Sequence, residues 1–551
     1  ITSISVSIYL ENVSAAQPKV VNQFILGSIQ DTQLQPVKDV EIGLFTTDPE
    51  QPLTSATTQA DGRFALQVPD SIPAELQIGF NRSHFQNTTI KLNNTDLRRL
   101  REGNSITLPL LKLEREITAA FWLAGAVFIL VLILIATGYL HNTLAAFAGA
   151  SFLLAVSYLG ILISDDLFVF HFAQAITYID WNVIFLIMGM MMVIAVVENT
   201  GIFHWLSYFA YRISRGKMWI LLTVLMLISG ISSAFLDNVT TMLLMTPITV
   251  QIALALNISP LVFLIPEVFA SNVVGVSTLI GTPTNILIGS FGDITFNDFL
   301  TKLTPGVFLA FLGLIGYSWL TYRKELSGKK FSSPLLLKKL EERGKITNPE
   351  NLKKAGVIGA GMLLLFVFGD KIHLLPSVTA LIGASSLLIW IRPDVEEMIG
   401  AVDWTTLVFF MSLFIVVGAI QEVGLISAIA TIIGKLIGEN LVLAMIVVTW
   451  FSALLSMVIA NIPLTAAMLP VIAYLSLIIP GAESKVLFYC LSIGAAMGGN
   501  GSLIGASANM ITAGIAERAG YKISYRYFLQ KGFPALVITV CISLLWLIIR
   551  F

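Results

Sequence analysis

Leu236-Asp237-Asn238-Val239-Thr240-Thr241 interrupts an apolar stretch running from 217 to 256, where a membrane helix would be unbroken. A second stretch, 440–478, is interrupted at Ala460-Asn461-Ile462-Pro463-Leu464-Thr465, 223 positions later (460 less 237). The same spacing separates Trp181 from Trp404, Gly201 from Gly424 and Pro247 from Pro470. Further on, Ser277-Thr278 and Gly281-Thr282-Pro283-Thr284-Asn285 face Gly499-Asn500-Gly501-Ser502 and Gly505-Ala506-Ser507-Ala508-Asn509, with Asn285 and Asn509 224 positions apart. Polar interruptions at matching places in two apolar halves point to the binding site of a secondary transporter.

Composition agrees. Of 551 residues, 56% are hydrophobic and 12% charged, about half the charge of a soluble domain. A net charge of −1 offers no field for nucleic acid. Cys490 and Cys541 lie far apart in apolar segments, so no structural disulfide is expected. The five histidines show no metal-ligand spacing, and no triad or paired catalytic carboxylates appear, so no enzyme is expected. The chain opens on Ile1, which reads as trimming of an upstream signal or anchor.

Residues 1–112 differ from the rest. Apolar and polar residues alternate at Val40, Ile42 and Leu44, at Phe64, Leu66 and Val68, and at Leu76, Ile78 and Phe80, with an Asp61-Gly62 turn between the first two runs. The pattern predicts a small all-β sandwich. Asn12, Asn81, Asn87 and Asn93 begin glycosylation sequons.

From Thr118 onward, uncharged runs reach the roughly 20 residues needed to cross a bilayer. Spans are expected near 118–139, 142–163, 181–199, 262–289 and 304–321, then 355–369, 375–392, 404–421, 486–513 and 533–550. Amphipathic stretches at 201–215 and 425–438 each precede an interrupted segment, read as a re-entrant hairpin because its arms are short for spanning. Loop 164–180 holds Asp165, Asp166 and Asp180 without Lys or Arg, whereas Arg212, Arg215 and Lys217, and ten Lys/Arg in 322–354, mark the opposite side. The positive-inside rule makes these basic segments cytoplasmic and the β module extracytoplasmic. Five crossings per half, an odd number, invert the second half relative to the first. The expected division is 1–112 β-sandwich, 113–321 membrane repeat 1, 322–354 linker and 355–551 membrane repeat 2.

Unwound backbone at membrane depth exposes carbonyls, and Asn, Ser and Thr add hard oxygen ligands for a small cation. The helix ends at each break present N–H groups to an anion. Asp237 is the sole acid in the four breaks and faces Ala460 in the other half, which makes it a candidate for ion coupling or for capping a half-helix. Glu198 and Glu422 fall at span ends and read as interfacial; Glu267, inside the 262–289 segment, is less easily dismissed although it lies near that segment's cytoplasmic start; and Met188 to Met192 reads as packing.

Ser233-Ala234-Phe235-Leu236-Asp237-Asn238-Val239-Thr240-Thr241-Met242-Leu243-Leu244, with Gly498-Gly499-Asn500-Gly501-Ser502-Leu503-Ile504-Gly505-Ala506-Ser507-Ala508-Asn509, resembles the ion transporter superfamily. Within that clan of arsenite permeases, sodium/proton antiporters and divalent anion/sodium symporters, the likeness is greatest to the family of the melanosomal P protein and its bacterial relatives. The resemblance covers about 118–550 and implies two inverted repeats, each with a re-entrant hairpin and a broken helix, in a homodimer that works by an elevator motion. It implies one half-site of Asn238, Thr240, Thr241, Thr278, Thr282 and Asn285, and another of Asn461, Thr465, Asn500, Ser502, Ser507 and Asn509; Ser277, in the same break as Thr278, is a further candidate. Sodium, as coupling ion, would sit near Asn238, Thr282 and Asn285 and near Asn461, Ser507 and Asn509. Close relatives often have Gly-Asp-Pro-Pro-Asn where this chain has Gly281-Thr282-Pro283-Thr284-Asn285, so a hydroxyl replaces an acid. The run from Val40 to Leu66 resembles the carboxypeptidase regulatory-like, transthyretin-type sandwich, an accessory module.

The expected function is cation-coupled transport, with Na⁺ or H⁺, of a small organic or inorganic anion. Open alternatives are a sodium/proton antiporter using Asp237, an anion channel or arsenite-type permease, and a sensor with the β module as receptor.

Overall fold

Strand alternation puts Ile42 opposite Phe80 and Leu44 opposite Ile78, so one face of the pair is apolar throughout. The computed structural model describes residues 23–32, 36–46, 51–69, 71–73, 75–326 and 344–551. The chain divides into two compact units, Ile1–Ile117 and Thr118–Phe551.

In the first unit, β1 (Phe24–Asp31) pairs with β4 (Arg63–Gln67), β7 (Ile106–Thr107) and β8 (Leu111–Leu113). The second sheet runs β3 (Thr54–Thr57), β2 (Glu41–Phe45), β5 (Gln77–Asn81), β6 (Thr88–Lys91), all antiparallel. Ile25, Ile29, Ile42, Leu44, Leu66 and Ile78 are fully buried in one core, which is the expected sandwich. Gly62 adopts φ 73°, as the tight turn into β4 requires. Helix α1 (Asn94–Arg101) was not anticipated: Asn93 starts it by accepting from the Asp96 N–H. The Asn12 sequon lies outside the described residues.

In the second unit, ten helices are long and apolar enough to cross a membrane, counted among the described residues. Helices α2 (Ala119–Thr137), α3 (Asn142–Leu159) and α4 (Trp181–Glu198) open it, followed by the amphipathic α5 (Ile202–Ser214). The first interrupted segment is α6 (Met218–Phe235) and α7 (Asn238–Ala255), the second α8 (Leu261–Val274) and α9 (Pro283–Phe291), with α10 (Thr304–Leu326) closing the half. The rest repeats the order: α11 (Pro349–Phe368), α12 (Pro376–Ile391), α13 (Trp404–Glu422), amphipathic α14 (Leu425–Ile437), α15 (Leu441–Ser456) with α16 (Asn461–Ile478), α17 (Val486–Gly498) with α18 (Ser507–Arg518), and α19 (Tyr525–Arg550).

Two expected spans are interrupted at the polar breaks noted in the sequence. The segments 262–289 and 486–513 each form a helix, a 3-10 turn and an extended stretch before a second helix. Conversely, a run from Phe296 through a π-helical turn to Leu326 exceeds the expected 304–321. Helix α11 begins at Pro349, inside the expected linker, because Asn348 accepts from the Asn351 N–H and Pro349 needs no donor there. Residues 327–343 of that linker lie outside the described residues.

Every residue of α17, and every residue of α8 from Val262 to Val273, is buried. Helices that are apolar on all sides belong in the centre. Around them, α8 packs on α6 and α17 on α15, while α9 packs on α16 and α18 on α7. Each broken helix therefore sits on its own half's interrupted segment with its first arm and on the other half's with its second. Helices α2, α3, α4, α11, α12 and α13 pack chiefly among themselves.

Candidate functional site

The breaks have a common local cause. Leu236 and Asp237 are extended (ψ 154° and 155°), which ends α6 and starts α7. Thr278 and Thr282 are extended around Gly281, and Ser502 and Ala506 around Gly505. A Cβ on Gly281 would fall 2.4 Å from the Gly275 carbonyl oxygen and 2.8 Å from that of Ser233. On Gly505 it would fall 2.8 Å from those of both Gly499 and Ser456. Only glycine lets three backbone strands meet this closely.

The same bonds fasten both breaks. The Thr278 hydroxyl donates to the Ala234 carbonyl, and the Ser502 hydroxyl to the Met457 carbonyl, tying each break to the adjacent segment's tip. Asn285 Nδ2 donates to the carbonyls of Val276 (3.0 Å) and Thr278 (2.7 Å), and Asn509 Nδ2 to those of Gly499 (2.8 Å) and Ser502 (2.9 Å). Backbone groups freed by unwinding are thus satisfied from within the protein.

The halves then diverge. Asn509 Oδ1 accepts from Asn272 Nδ2 (3.0 Å), whereas Asn285 Oδ1 accepts from the Ser492 hydroxyl (2.6 Å). Asn272 Nδ2 also reaches Asn500 Oδ1 (2.9 Å), and its own Oδ1 accepts from Asn238 Nδ2 (2.8 Å). One amide therefore joins Asn238 of the first half to Asn500 and Asn509 of the second. The helix ends differ as well. Asp237 caps α7, accepting from the Thr240 N–H (2.9 Å) and hydroxyl (2.6 Å), and Thr282 caps α9, accepting from the Asn285 N–H (3.2 Å). Helices α16 and α18 start at Ala460 and Ala506 with no side-chain cap. Their first N–H groups and positive dipole ends are left for another partner.

The residues expected from sequence fall as follows. Asn238, Asn500 and Asn509 are joined through Asn272; Asn285 meets Ser492; Thr278 and Ser502 act as pins. Asn461 is buried in the first turn of α16, Thr240 bonds Asp237, and Ser507 is half-buried at the start of α18. Ser277 Oγ donates to the Val274 carbonyl at 2.6 Å, inside its own turn. The Thr241 and Thr465 hydroxyls are buried without a partner. Sequence reasoning missed Asn272 and Ser492, which lie 224 positions from Ala496 and Val268 (496 less 272, 492 less 268). A search for matching polar pairs passes over both; a lone Asn amid apolar helix is the signal that finds Asn272. Glu422, expected at the interface, is buried and accepts from the Tyr178 hydroxyl. Glu267, at the start of its segment, is also buried. Cys490 and Cys541 are both free. Among the described residues no cluster of three or more His, Cys, Asp or Glu side chains could hold a metal ion.

A citrate transporter family model, CitMHS, matches residues 128–484. An uncharacterized transporter of Mycobacterium tuberculosis is 36% identical over 434 residues, covering 78% of this chain and 98% of that protein. A 46 kDa membrane protein of Mycobacterium leprae is 34% identical over 430 residues, with the same coverage of 78% and 98%. The human P protein is 33% identical over 513 residues, covering 79% of this chain and 60% of that protein. With its apolar helices interrupted and interlocked as described, the chain is an integral membrane transporter and belongs to the citrate transporter family.

Proposed function

We propose that the protein is a secondary active transporter that moves a small organic or inorganic anion coupled to a cation, Na⁺ or H⁺, by an elevator-type motion. The observation that carries this reading is the pair of uncapped helix ends at α16 and α18, the second of which holds Asn509 of the amide network centred on Asn272. Unfilled N–H groups and two positive dipole ends suit a carboxylate or oxyanion. The first half, with Thr282 and the carbonyls around Asn285, offers oxygen ligands suited to a cation. Sodium near Asn238, Thr282 and Asn285, or near Asn461, Ser507 and Asn509, belongs to the same reading. Its architecture has 113–321 and 355–551 as inverted repeats with re-entrant hairpins, a cytoplasmic basic 322–354, a β module (1–112) outside or in a lumen, and a homodimer.

Sodium/proton exchange centred on Asp237 is less well supported, because both oxygens of that carboxylate already accept from Thr240. The test is uptake of labelled citrate, succinate, phosphate and arsenite into proteoliposomes under imposed Na⁺ and pH gradients. Saturable, gradient-dependent uptake of at least one anion is the expected result. No movement of any of them under either gradient rejects the reading.

A further inference from the structure

We propose that Glu267 is the proton-binding site of the transport cycle, so that H⁺ is the coupling cation; this rests on the transport reading above. Glu267 lies on α8, fully buried, eight residues before the break at Gly275. At 1.5 Å per residue, this places it about 12 Å along the helix from the cargo site.

The geometry around the carboxyl can hold a proton. Thr249 Oγ1 lies 3.0 Å from Oε1 and 3.1 Å from Oε2, both within hydrogen-bond distance. A hydroxyl has one hydrogen, which an ionised carboxylate can only share between its two oxygens in a three-centre bond. With a proton on Glu267, the carboxyl donates to the Thr249 oxygen while Thr249 donates to the carboxyl carbonyl, and both contacts are filled. Without that proton, the single Thr249 hydrogen is shared between two acceptors.

No countercharge substitutes for the proton. Helices α6 and α7, packed on α8, carry no titratable side chain. The other helices packed on it carry Tyr317, Tyr322, Arg323, Lys324 and Glu325 (α10), Tyr489 and Cys490 (α17), Glu517 and Arg518 (α18), and Tyr525, Arg526, Tyr527, Lys531, Cys541 and Arg550 (α19). Among the described residues none of these forms an ion pair or hydrogen bond with Glu267. A buried carboxyl without a cationic partner is electrically neutral only when it holds a proton.

The position also connects to the cargo site. One turn along α8 from Glu267, the Ser271 hydroxyl is buried with no partner, and the next residue is Asn272. One turn before Thr249 on α7, Thr246 meets Thr512 of α18 at 3.4 Å. Protonation takes Glu267 from −1 to 0 on the helix that joins both half-sites, which would let the occupied carrier cross the bilayer without an unpaired interior charge.

Infrared difference spectra of the protein in liposomes, between acid and alkaline buffers, read the carboxyl directly and need no substrate. The expected result is a titrating protonated-carboxyl C=O band that Glu267→Gln removes; an unchanged band in that variant overturns the proposal. Citrate accumulation driven by a pH gradient should fall at least about tenfold in Glu267→Gln, roughly 1.4 kcal/mol, with a smaller loss in citrate counterflow, which requires no net proton movement. Accumulation retained in the variant overturns proton coupling at Glu267 but leaves anion transport standing. If the wild-type protein moves no anion at all, the transport reading fails while the infrared band still decides whether Glu267 takes a proton. Should Glu267→Gln not fold, Thr249→Val removes the reciprocal partner and keeps the shape. It should move the midpoint of the titrating band by about half a pH unit, and an unmoved midpoint counts against the site.

Discussion

The two interrupted halves are built with the same fasteners and finished differently. Thr278 and Ser502 pin the breaks, and Asn285 and Asn509 hold the freed carbonyls, at positions a fixed distance apart in sequence. At the helix ends the first half closes on itself through Asp237 and Thr282, while the second leaves Ala460 and Ala506 open. The two halves thus keep one backbone geometry at their breaks while their helix ends differ in chemistry. The common part needs a carbonyl, a hydroxyl and an amide at fixed places; the part that differs needs only one side chain changed per helix end.

The largest effect should come from the amide shared by the halves. Asn272→Ala removes three buried hydrogen bonds, each costing about 1–3 kcal/mol when its partner is left unsatisfied. Anion uptake in proteoliposomes should be lost, with a clear fall in melting temperature. Uptake within twofold of wild type would mean that the halves are not joined there.

Gly281→Ala and Gly505→Ala compare the two backbone crossings. The first meets carbonyl oxygen at 2.4 Å and the second at 2.8 Å, so Gly281→Ala should destabilise more, within the roughly 1–3 kcal/mol of an overpacked site. Denaturation in detergent measures the order, and the reverse order breaks the comparison. Exchanging the end chemistry comes next. Ala460→Asp places a carboxylate at an open helix end and should raise the KM for anion about tenfold with little change in kcat, by competing for the same N–H groups. Asp237→Asn keeps an acceptor for Thr240 and should change the KM less. The smallest effect is expected of Ser492→Ala, which removes a side-chain donor to Asn285 Oδ1 and should cost about 1 kcal/mol in melting measurements.

What could be read from sequence follows the same division. The breaks were visible because Asn238, Asn461, Asn285 and Asn509 stand out in apolar surroundings and recur at one spacing. The strands of the sandwich were visible from the alternation around Ile42, Phe64 and Ile78. Asn272, Ser492 and the Thr249–Glu267 contact were not, since their counterparts 224 positions away, or 223 for Thr249, are Ala496, Val268, Leu491 and Ile472, and periodicity reports only what is repeated. Glu422 misled for another reason. Its place at a helix end suggests contact with solvent, but Tyr178 arrives from a distant segment to cover it.

The bare starts of α16 and α18 carry a consequence for handling the protein. On the proposed anion-transport reading, a carrier whose own side chains leave two helix ends uncapped is least stable when unloaded, and weak acids in the preparation should bind there. Buffer salts will then register as thermal stabilisers, and screening should begin from a chloride-only medium, ranking candidate solutes by how far each raises the melting temperature above that baseline.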